Sequence, residues 1–222
     1  MDVGAHKGGY LYWLARAVGA SGRVVAFEPQ PAAAEYLRGV VRVAGYGHVE
    51  VVEQAVSDVS GPVSLYTPPT RVSTGATLVP NLFPENDATL TIRAVTLDEF
   101  LASRRDLPPP RFVEIDVETH ELAVLRGAAR TLVAAKPVVQ IEADQRVYGD
   151  RPIGELFDFV AKLGLQGFFF HERRLHPIEE FDLEKHQPER YHTAPNHPGY
   201  ANNFLFMSAE KETGLLRRYA RA

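Results

Sequence analysis

The chain has 222 residues, 45% of them hydrophobic and 23% charged, a composition typical of a single globular domain with a sizeable core. Its 24 basic and 28 acidic residues give a formal net charge of -4 without any run of Lys or Arg, so a nucleic-acid partner is not expected. The sequence has no cysteine, no signal peptide and no apolar window of membrane-spanning length, so we expect one cytoplasmic domain over residues 1–222 without a membrane partner.

Helix and strand signals alternate in the first half of the chain. Apolar spacing and turn residues predict a helix over 9–18, a strand over 23–28, a helix from 31 that stops at Gly45, strands over 49–56, 63–66 and 91–96, and a short helix over 97–103. The stretch 67–90 contains four prolines and has no regular pattern. An irregular connection of this length in a compact domain is predicted to cover a functional site.

The second half continues the alternation. It predicts a strand over 112–116, a helix with Leu122, Leu125, Ala128 and Leu132 on one face, a strand over 137–142, a helix over 153–163, and late strands over 167–171 and 203–208. The segment 174–200 between the two late strands is rich in His and Pro and is a second candidate cover, predicted to lie over the acceptor pocket. The alternation of strands and helices predicts an α/β fold with a mostly parallel sheet and helices on both faces.

A glycine-rich turn follows the short strand at the start of the chain. It runs from Asp2 to Gly9 and leads into the first helix. Such turns let the backbone approach a ligand closely and point helix N–H groups at it. Glu28, 24 residues after Gly4, closes the second strand, where its carboxylate could accept both ribose hydroxyls of an adenosine cofactor. The simpler alternative is a tight connection between strand and helix without a ligand.

The details of the turn favour S-adenosylmethionine over a dinucleotide. His6 occupies the position of the middle glycine that a pyrophosphate site requires. Asp2, placed just before the first glycine, suits the ammonium and sulfonium groups of S-adenosylmethionine better than a pyrophosphate. Asp58 follows the third strand and is predicted to meet the adenine, although a turn-forming role explains it nearly as well. The complete set of predicted cofactor-binding residues is Asp2, Gly4, Ala5, His6, Gly8, Glu28, Ala55, Ser57, Asp58 and Asp116.

A second group of ionisable residues lies in the segment 112–121, at the end of a predicted strand and the start of a helix. In open α/β sheets, that edge of the sheet binds the ligand. We therefore predict that His120, Asp116 and Glu118 are catalytic, with His120 as general base. An alternative is that Asp116, Glu118 and His120, with Glu142, bind a divalent metal such as Mg or Mn. Acidic residues at a helix start also complement the helix dipole without any catalytic role.

Segments along most of the chain resemble the FkbM-type methyltransferases. They are DVGAHKGG at 2–9, FEPQP at 27–31, EQAVSD at 53–58, TLDEFL at 96–101, EIDVETHELAVLRGA at 114–128, KPVVQIE at 136–142 and NNFLF at 202–206. The resemblance implies a Rossmann-like class I methyltransferase fold, whose sheet has seven strands with the last one antiparallel. It also implies S-adenosylmethionine bound along the loop at Gly4 and at Glu28. The implied reaction is usually O-methylation of a hydroxyl on a sugar, polyketide or other secondary metabolite.

The chain departs from the family pattern at three places. Glu114 stands where the family usually has Lys, and Thr119 where it usually has Gly. The chain also begins at the glycine loop, so we expect the usual N-terminal segment to be short or missing. The departures at Glu114 and Thr119 keep a non-catalytic S-adenosylmethionine-binding module open as an alternative. A nicotinamide-dependent oxidoreductase is the third alternative, and His6 argues against it.

Overall fold

The computed structural model describes residues 1–68, 72–83, 88–194 and 197–211. Its strands are β1 (Asp2–Val3), β2 (Val24–Phe27), β3 (Val49–Val52), β4 (Ala55–Val56), β5 (Gly61–Thr67), β6 (Ala88–Val95), β7 (Phe112–Ile115), β8 (Val138–Glu142), β9 (Gln166–His171), β10 (Arg174–Pro177) and β11 (Asn203–Met207). Its helices are α1 (Gly9–Val18), α2 (Pro31–Val43), α3 (Leu97–Ser103), α4 (Glu121–Gly127), α5 (Ala129–Ala135), α6 (Gln145–Tyr148), α7 (Gly154–Lys162) and α8 (Leu183–His186).

The main sheet has eight strands in the order β10-β9-β11-β8-β7-β1-β2-β3. Strands β3, β2, β1, β7 and β8 pair in parallel, and the last strand, β11, is antiparallel to both of its neighbours. The mostly parallel sheet and its antiparallel last strand therefore agree with the prediction. The number seven was wrong, because β10 pairs with β9 as an additional antiparallel edge strand.

The additional strand is formed by a tight hairpin that the sequence did not signal. His171 pairs with Arg174, so only Glu172 and Arg173 connect the two strands. Both residues have positive φ, 49° and 65°. Two-residue hairpin loops require this conformation, and Asn-Gly or Asp-Gly is its usual sequence signal. Glu-Arg carries no such signal, so the strand could not be read from residue types.

The predicted single strand over 49–56 was wrong, because part of this stretch belongs to a second, three-stranded sheet. That stretch divides into β3, at the edge of the main sheet, and β4, which pairs in parallel with β6. Strands β5 and β6 form a long antiparallel pair.

The predicted helix through Leu122 and Leu132 is also divided, into α4 and α5. At the end of α4, a Cβ on Gly127 would lie 2.0 Å from the Ser57 carbonyl oxygen, so glycine permits this close contact with the chain after β4.

Helices cover both faces of the main sheet, as predicted. On one face, Leu11 of α1 and Leu37 of α2 pack on Ala26 of β2. On the other face, α3, α4, α5 and α7 contribute to a large apolar cluster with the alternate residues of the strands, among them Val25, Phe27, Val113, Ile115, Val139 and Ile141. None of the described helices is both long and apolar enough to span a membrane. The carboxyl ends of β1, β2 and β7 meet at one edge of this sheet, where the candidate site lies.

Candidate active site

The glycine turn brings three strand ends together. Gly4 has a φ of +95°, and a Cβ at this position would lie 1.8 Å from the carbonyl oxygen of Asp116. Only glycine therefore allows the end of β1 to pass so close to the end of β7. The N–H groups of Gly4 and Ala5 both donate to the carbonyl oxygen of Phe27 at 3.0 Å, which joins the turn to the end of β2.

Glu28 is held at the end of β2 by backbone donors. Its Oε2 accepts a hydrogen bond from the N–H of His6, and its Oε1 accepts one from the N–H of Gln30, both at 2.8 Å. The side chain is 2% exposed, and burial raises its pKa above the ordinary value. The carboxylate is thus fixed in orientation, while each oxygen keeps a lone pair for a further donor.

A pocket lies over these strand ends, with about 520 Å³ of space when its opening to solvent is included. We call it the cofactor pocket. Gly4, His6 and Glu28 form part of its wall, and the segment 73–78 forms another part. Gln30 holds that segment through two hydrogen bonds with the backbone of Ser73, each at 2.9 Å. Residues 73–78 of the irregular 67–90 stretch therefore contribute to the wall of this pocket.

His6 supplies an unpaired polar atom in the wall of the cofactor pocket. Its Nε2 is buried and has no hydrogen-bond partner among the described residues. Burial lowers the pKa of this imidazole, which favours the neutral ring. A buried polar atom without a partner is costly, so a ligand that reaches Nε2 would be stabilised.

A strained turn after β7 carries the predicted catalytic residues. Glu118 and Thr119 both have positive φ, 51° and 70°. The buried carboxylate of Glu121 accepts hydrogen bonds from the N–H groups of Val117 at 3.1 Å and Thr119 at 3.2 Å. The hydroxyl of Tyr148 donates to the same carboxylate. These contacts fix the turn in place. The position of Glu121 at the start of a helix did not reveal this role.

A second pocket, with about 510 Å³ of space when its opening to solvent is included, adjoins the cofactor pocket. We call it the acidic pocket, because carboxyl groups form much of its wall. Asp116 and Glu118 line both pockets, whereas Glu142 lines only the acidic pocket. Burial raises the pKa of Asp116 to about 6, of Glu118 to about 8 and of Glu142 to about 7. Near neutral pH this group of carboxyls therefore retains protons that exposed carboxyls would have lost.

His120 lines the cofactor pocket but not the acidic pocket. Its Nε2 lies 2.9 Å from the Oγ of Ser57, and the Ser57 hydroxyl donates to Asp58 at 3.2 Å. Burial lowers the pKa of the His120 ring, although the charge of Asp58 opposes this effect.

The sequence matches the Methyltransferase FkbM domain over residues 2–169. The chain belongs to the FkbM methyltransferase family. This match confirms the resemblance found in the sequence segments. It includes the glycine turn, Glu28 and the turn after β7, which are the parts that form the two pockets.

Two solved structures resemble the chain. The chain is similar to methyltransferase FkbM from Methylobacillus flagellatus KT, with 18% identity and a TM-score of 0.59, over 92% of this chain and 42% of that chain. It is also similar to precorrin-6y C5,15-methyltransferase from Geobacter metallireducens GS-15, with 16% identity and a TM-score of 0.45, over 76% of this chain and 62% of that chain. The chain thus spans less than two thirds of either structure, and the first likeness shows a common fold. No curated protein matched the sequence.

The structure brings only some of the predicted cofactor residues into the cofactor pocket. Those that line it are Gly4, His6, Glu28, Ala55 and Asp116. Ala5 and Gly8 shape the turn without lining the pocket. Ser57 and Asp58 lie outside the pocket, joined to His120, and Asp58 is exposed.

Asp2, predicted to meet the charged groups of the cofactor, lies in the sheet beside Glu114 and does not line the cofactor pocket. The two residues are in register on β1 and β7, and each is 1% exposed. Oδ2 of Asp2 and Oε1 of Glu114 lack hydrogen-bond partners among the described residues. Burial raises the pKa of Asp2 to about 6 and that of Glu114 well above its ordinary value, so the pair holds at least one proton near pH 6.

The possible metal ligands Asp116, Glu118, His120 and Glu142 do not form a metal-binding group. Within the part of the chain that the structure describes, no three His, Asp or Glu residues are arranged to hold a metal ion.

Sequence reasoning also missed three residues that shape the site, namely Gln30, Thr77 and Arg151. Thr77 donates its hydroxyl to the carbonyl oxygen of Glu118 at 2.8 Å. Their contacts join residues far apart in the chain, so no local pattern could have identified them.

Proposed function

We propose that this FkbM methyltransferase transfers a methyl group from S-adenosylmethionine to a hydroxyl of a small molecule. The observation that carries the proposal is the pair of adjoining pockets with Asp116 and Glu118 in the wall of both. One pocket has the features of an adenosine site, and the other presents side-chain carboxyls beside which an acceptor could bind. A methyl transfer requires donor and acceptor to be aligned in this way, since much of the acceleration comes from positioning.

The residues of the cofactor pocket fit S-adenosylmethionine. Glu28 presents two oriented oxygens at the strand end, where ribose hydroxyls could donate to them. His6 offers its unpaired Nε2, and Gly4 lines the same pocket at the end of β1. When bound, the cofactor supplies an electrophilic methyl group on a positively charged sulfur.

The acceptor is proposed to bind in the acidic pocket, with its hydroxyl beside Asp116. With a pKa of about 6, Asp116 is ionised at neutral pH and can take the hydroxyl proton as the oxygen accepts the methyl group. The pKa of Glu118 is about 8, so this group keeps its proton at neutral pH and can donate a hydrogen bond. Because His120 does not line the acidic pocket, the geometry favours Asp116 over His120 as general base.

The wall of the acidic pocket also bears on the acceptor. Its carboxyl groups include Glu142 and Asp144, and Arg146 is already paired with Asp144 at 3.0 Å. An acceptor with a carboxylate or phosphate would therefore meet the negative charge of Asp116, and the described residues of this wall offer no unpaired cation to offset it. Neutral polyhydroxylated compounds such as sugars are the preferred class.

Two measurements test the proposal. Calorimetry should show that S-adenosylhomocysteine binds more tightly than NAD. The protein should then be incubated with S-adenosylmethionine labelled in its methyl group and a panel of neutral and anionic hydroxyl compounds. Mass spectrometry should find a labelled product that is heavier by one CH2 group, with neutral compounds preferred. Binding of NAD but not of S-adenosylhomocysteine would contradict the cofactor, and binding without transfer to any acceptor would indicate a non-catalytic module.

A further inference from the structure

Thr119 occupies a backbone conformation that its side chain disfavours. Its φ of +70° lies in the left-handed region, directly after Glu118 at +51°. Glycine adopts this region freely, whereas a β-branched residue such as Thr does so rarely. Thr119 is only 5% exposed and belongs to the turn that presents Asp116 and Glu118 to the two pockets. Some contact must therefore hold the strained turn in place.

Arg151 makes that contact from a different part of the chain. Its Nη2 donates to the Thr119 hydroxyl at 2.8 Å, and its Nη1 donates to the Thr119 carbonyl oxygen at 3.3 Å. One guanidinium thus binds both the side chain and the backbone of the strained residue. The amide of Gln145 donates to the carbonyl oxygens of Gly149 and Arg151, at 2.7 and 2.8 Å, and so fixes the loop that carries the arginine.

The same arginine is connected to the buried part of the turn. Its guanidinium carbon lies 5.3 Å from the centre of the Tyr148 ring, in a cation–π arrangement. The Tyr148 hydroxyl donates to Glu121, which binds the N–H groups of Val117 and Thr119. The Glu121 carboxylate and the Arg151 guanidinium therefore both hold the turn, through different atoms of Thr119.

We propose that Arg151 is a positioning residue that acts through Thr119 and holds Asp116 and Glu118 at the junction of the two pockets. The proposal rests on the proposed function, because it concerns the alignment of the acceptor. The fork of the guanidinium is essential to it, since a lysine carries the charge but cannot donate to both oxygens in the same geometry. The hydroxyl of Thr119 is equally required, because a glycine would relax the backbone and remove one of the two acceptors.

The test compares Arg151→Ala, Arg151→Lys, Thr119→Gly and the double variant Thr119→Gly/Arg151→Ala. Arg190→Ala is the matched control, because Arg190 lies 4.8 Å from the centre of the Tyr191 ring but is not part of the site. We expect Arg151→Ala to lower kcat about 10-fold or more with a change of less than about 3-fold in S-adenosylhomocysteine affinity. Arg151→Lys should recover only part of the loss. In the Thr119→Gly background, the effect of Arg151→Ala should be clearly smaller.

Hydrogen exchange provides a readout that does not need turnover. In Arg151→Ala, the amide of Thr119 should exchange faster, whereas amides of the main sheet should keep their protection. If wild-type protein transferred no methyl group, the proposed function would fail while this measurement still decided the role of Arg151. The inference is overturned if Arg151→Ala leaves both kcat and the exchange at Thr119 within about 2-fold of wild type. It is also overturned if kcat falls only in parallel with Tm, or if the two single effects simply add.

Discussion

The cofactor pocket and the acidic pocket share Asp116 and Glu118, but they are built in different ways. Backbone groups form the first: N–H donors fix Glu28, and a glycine permits the close contact at Gly4. Side chains from separate elements form the acidic pocket. Burial raises the pKa of its carboxyl groups most, and the charges of neighbouring carboxylates raise it further. The cofactor side should therefore tolerate most side-chain changes, whereas the acceptor side should respond strongly to changes of charge.

The largest effect is expected at the shared wall. Asp116→Asn removes the proposed base without much change in shape, so kcat for methyl transfer should fall by about 100-fold or more. Affinity for S-adenosylhomocysteine, measured by calorimetry, should change by less than about 3-fold. Asp158→Asn, at an exposed position of α7, serves as the control. Full turnover in Asp116→Asn would move the base to another residue, with His120 the first to examine.

The next effect separates the two pockets. Glu28→Ala removes the fixed acceptor of the ribose hydroxyls, so S-adenosylhomocysteine binding should weaken by about 1 to 3 kcal/mol. Calorimetry measures this change, and Glu35→Ala on the exposed side of α2 is the control. Saturating cofactor should restore most of the turnover, because Glu28 does not line the acidic pocket. An unchanged affinity would contradict the proposed adenosine site.

A smaller effect is expected at His120, which lines the cofactor pocket but not the acidic pocket. His120→Ala should lower kcat by about 10-fold, and Ser57→Ala, which removes its hydrogen-bond partner, should act in the same direction. Steady-state kinetics with saturating cofactor gives both values. A loss in His120→Ala as large as that in Asp116→Asn would instead support the histidine as general base.

The smallest effect concerns the stability of the fold and involves the buried pair Asp2 and Glu114. Burial raises the pKa of Asp2 from 3.8 to about 6, so the folded state holds a proton that the unfolded state has lost. The stability from this group is therefore complete below about pH 4 and falls as the pH rises towards 6. Glu114→Gln removes the adjacent carboxyl and should raise Tm by about 2 to 4 °C at pH 8, but change it little at pH 4. Thermal unfolding at the two pH values tests this, and an equal shift at both would exclude the charge explanation.

Short local signals account for the parts of the fold that were predicted closely. Helix α1 begins and ends at the predicted residues because its apolar spacing is regular and Gly19 follows it. Helix α3 also has its predicted bounds, since Thr96 caps it by accepting a hydrogen bond from the N–H of Glu99 at 3.1 Å. Both signals act within a few residues and need no distant partner.

Among the predicted site residues, those that depend on a single turn or strand end are found in the wall of the cofactor pocket. Gly4 and Glu28 could be recognised because strand, glycine turn and terminal carboxylate follow one another in the chain. The exclusion of Asp2 from the cofactor pocket could not be recognised, since it depends on the pairing of β1 with β7, more than one hundred residues away. The role of Glu121 was equally hidden, because its partner Tyr148 belongs to another helix.

By itself, the sequence determined the α/β class, the family and the edge of the sheet where the site lies, because strand ends and glycine turns are encoded by neighbouring residues. The tertiary structure decided which carboxyls meet, how strongly burial raises their pKa values, and that Asp116 rather than His120 borders both pockets. It also decided that Thr119 is held by Arg151. Burial and contact between distant residues arise only when the elements pack, so no spacing within the chain can express them.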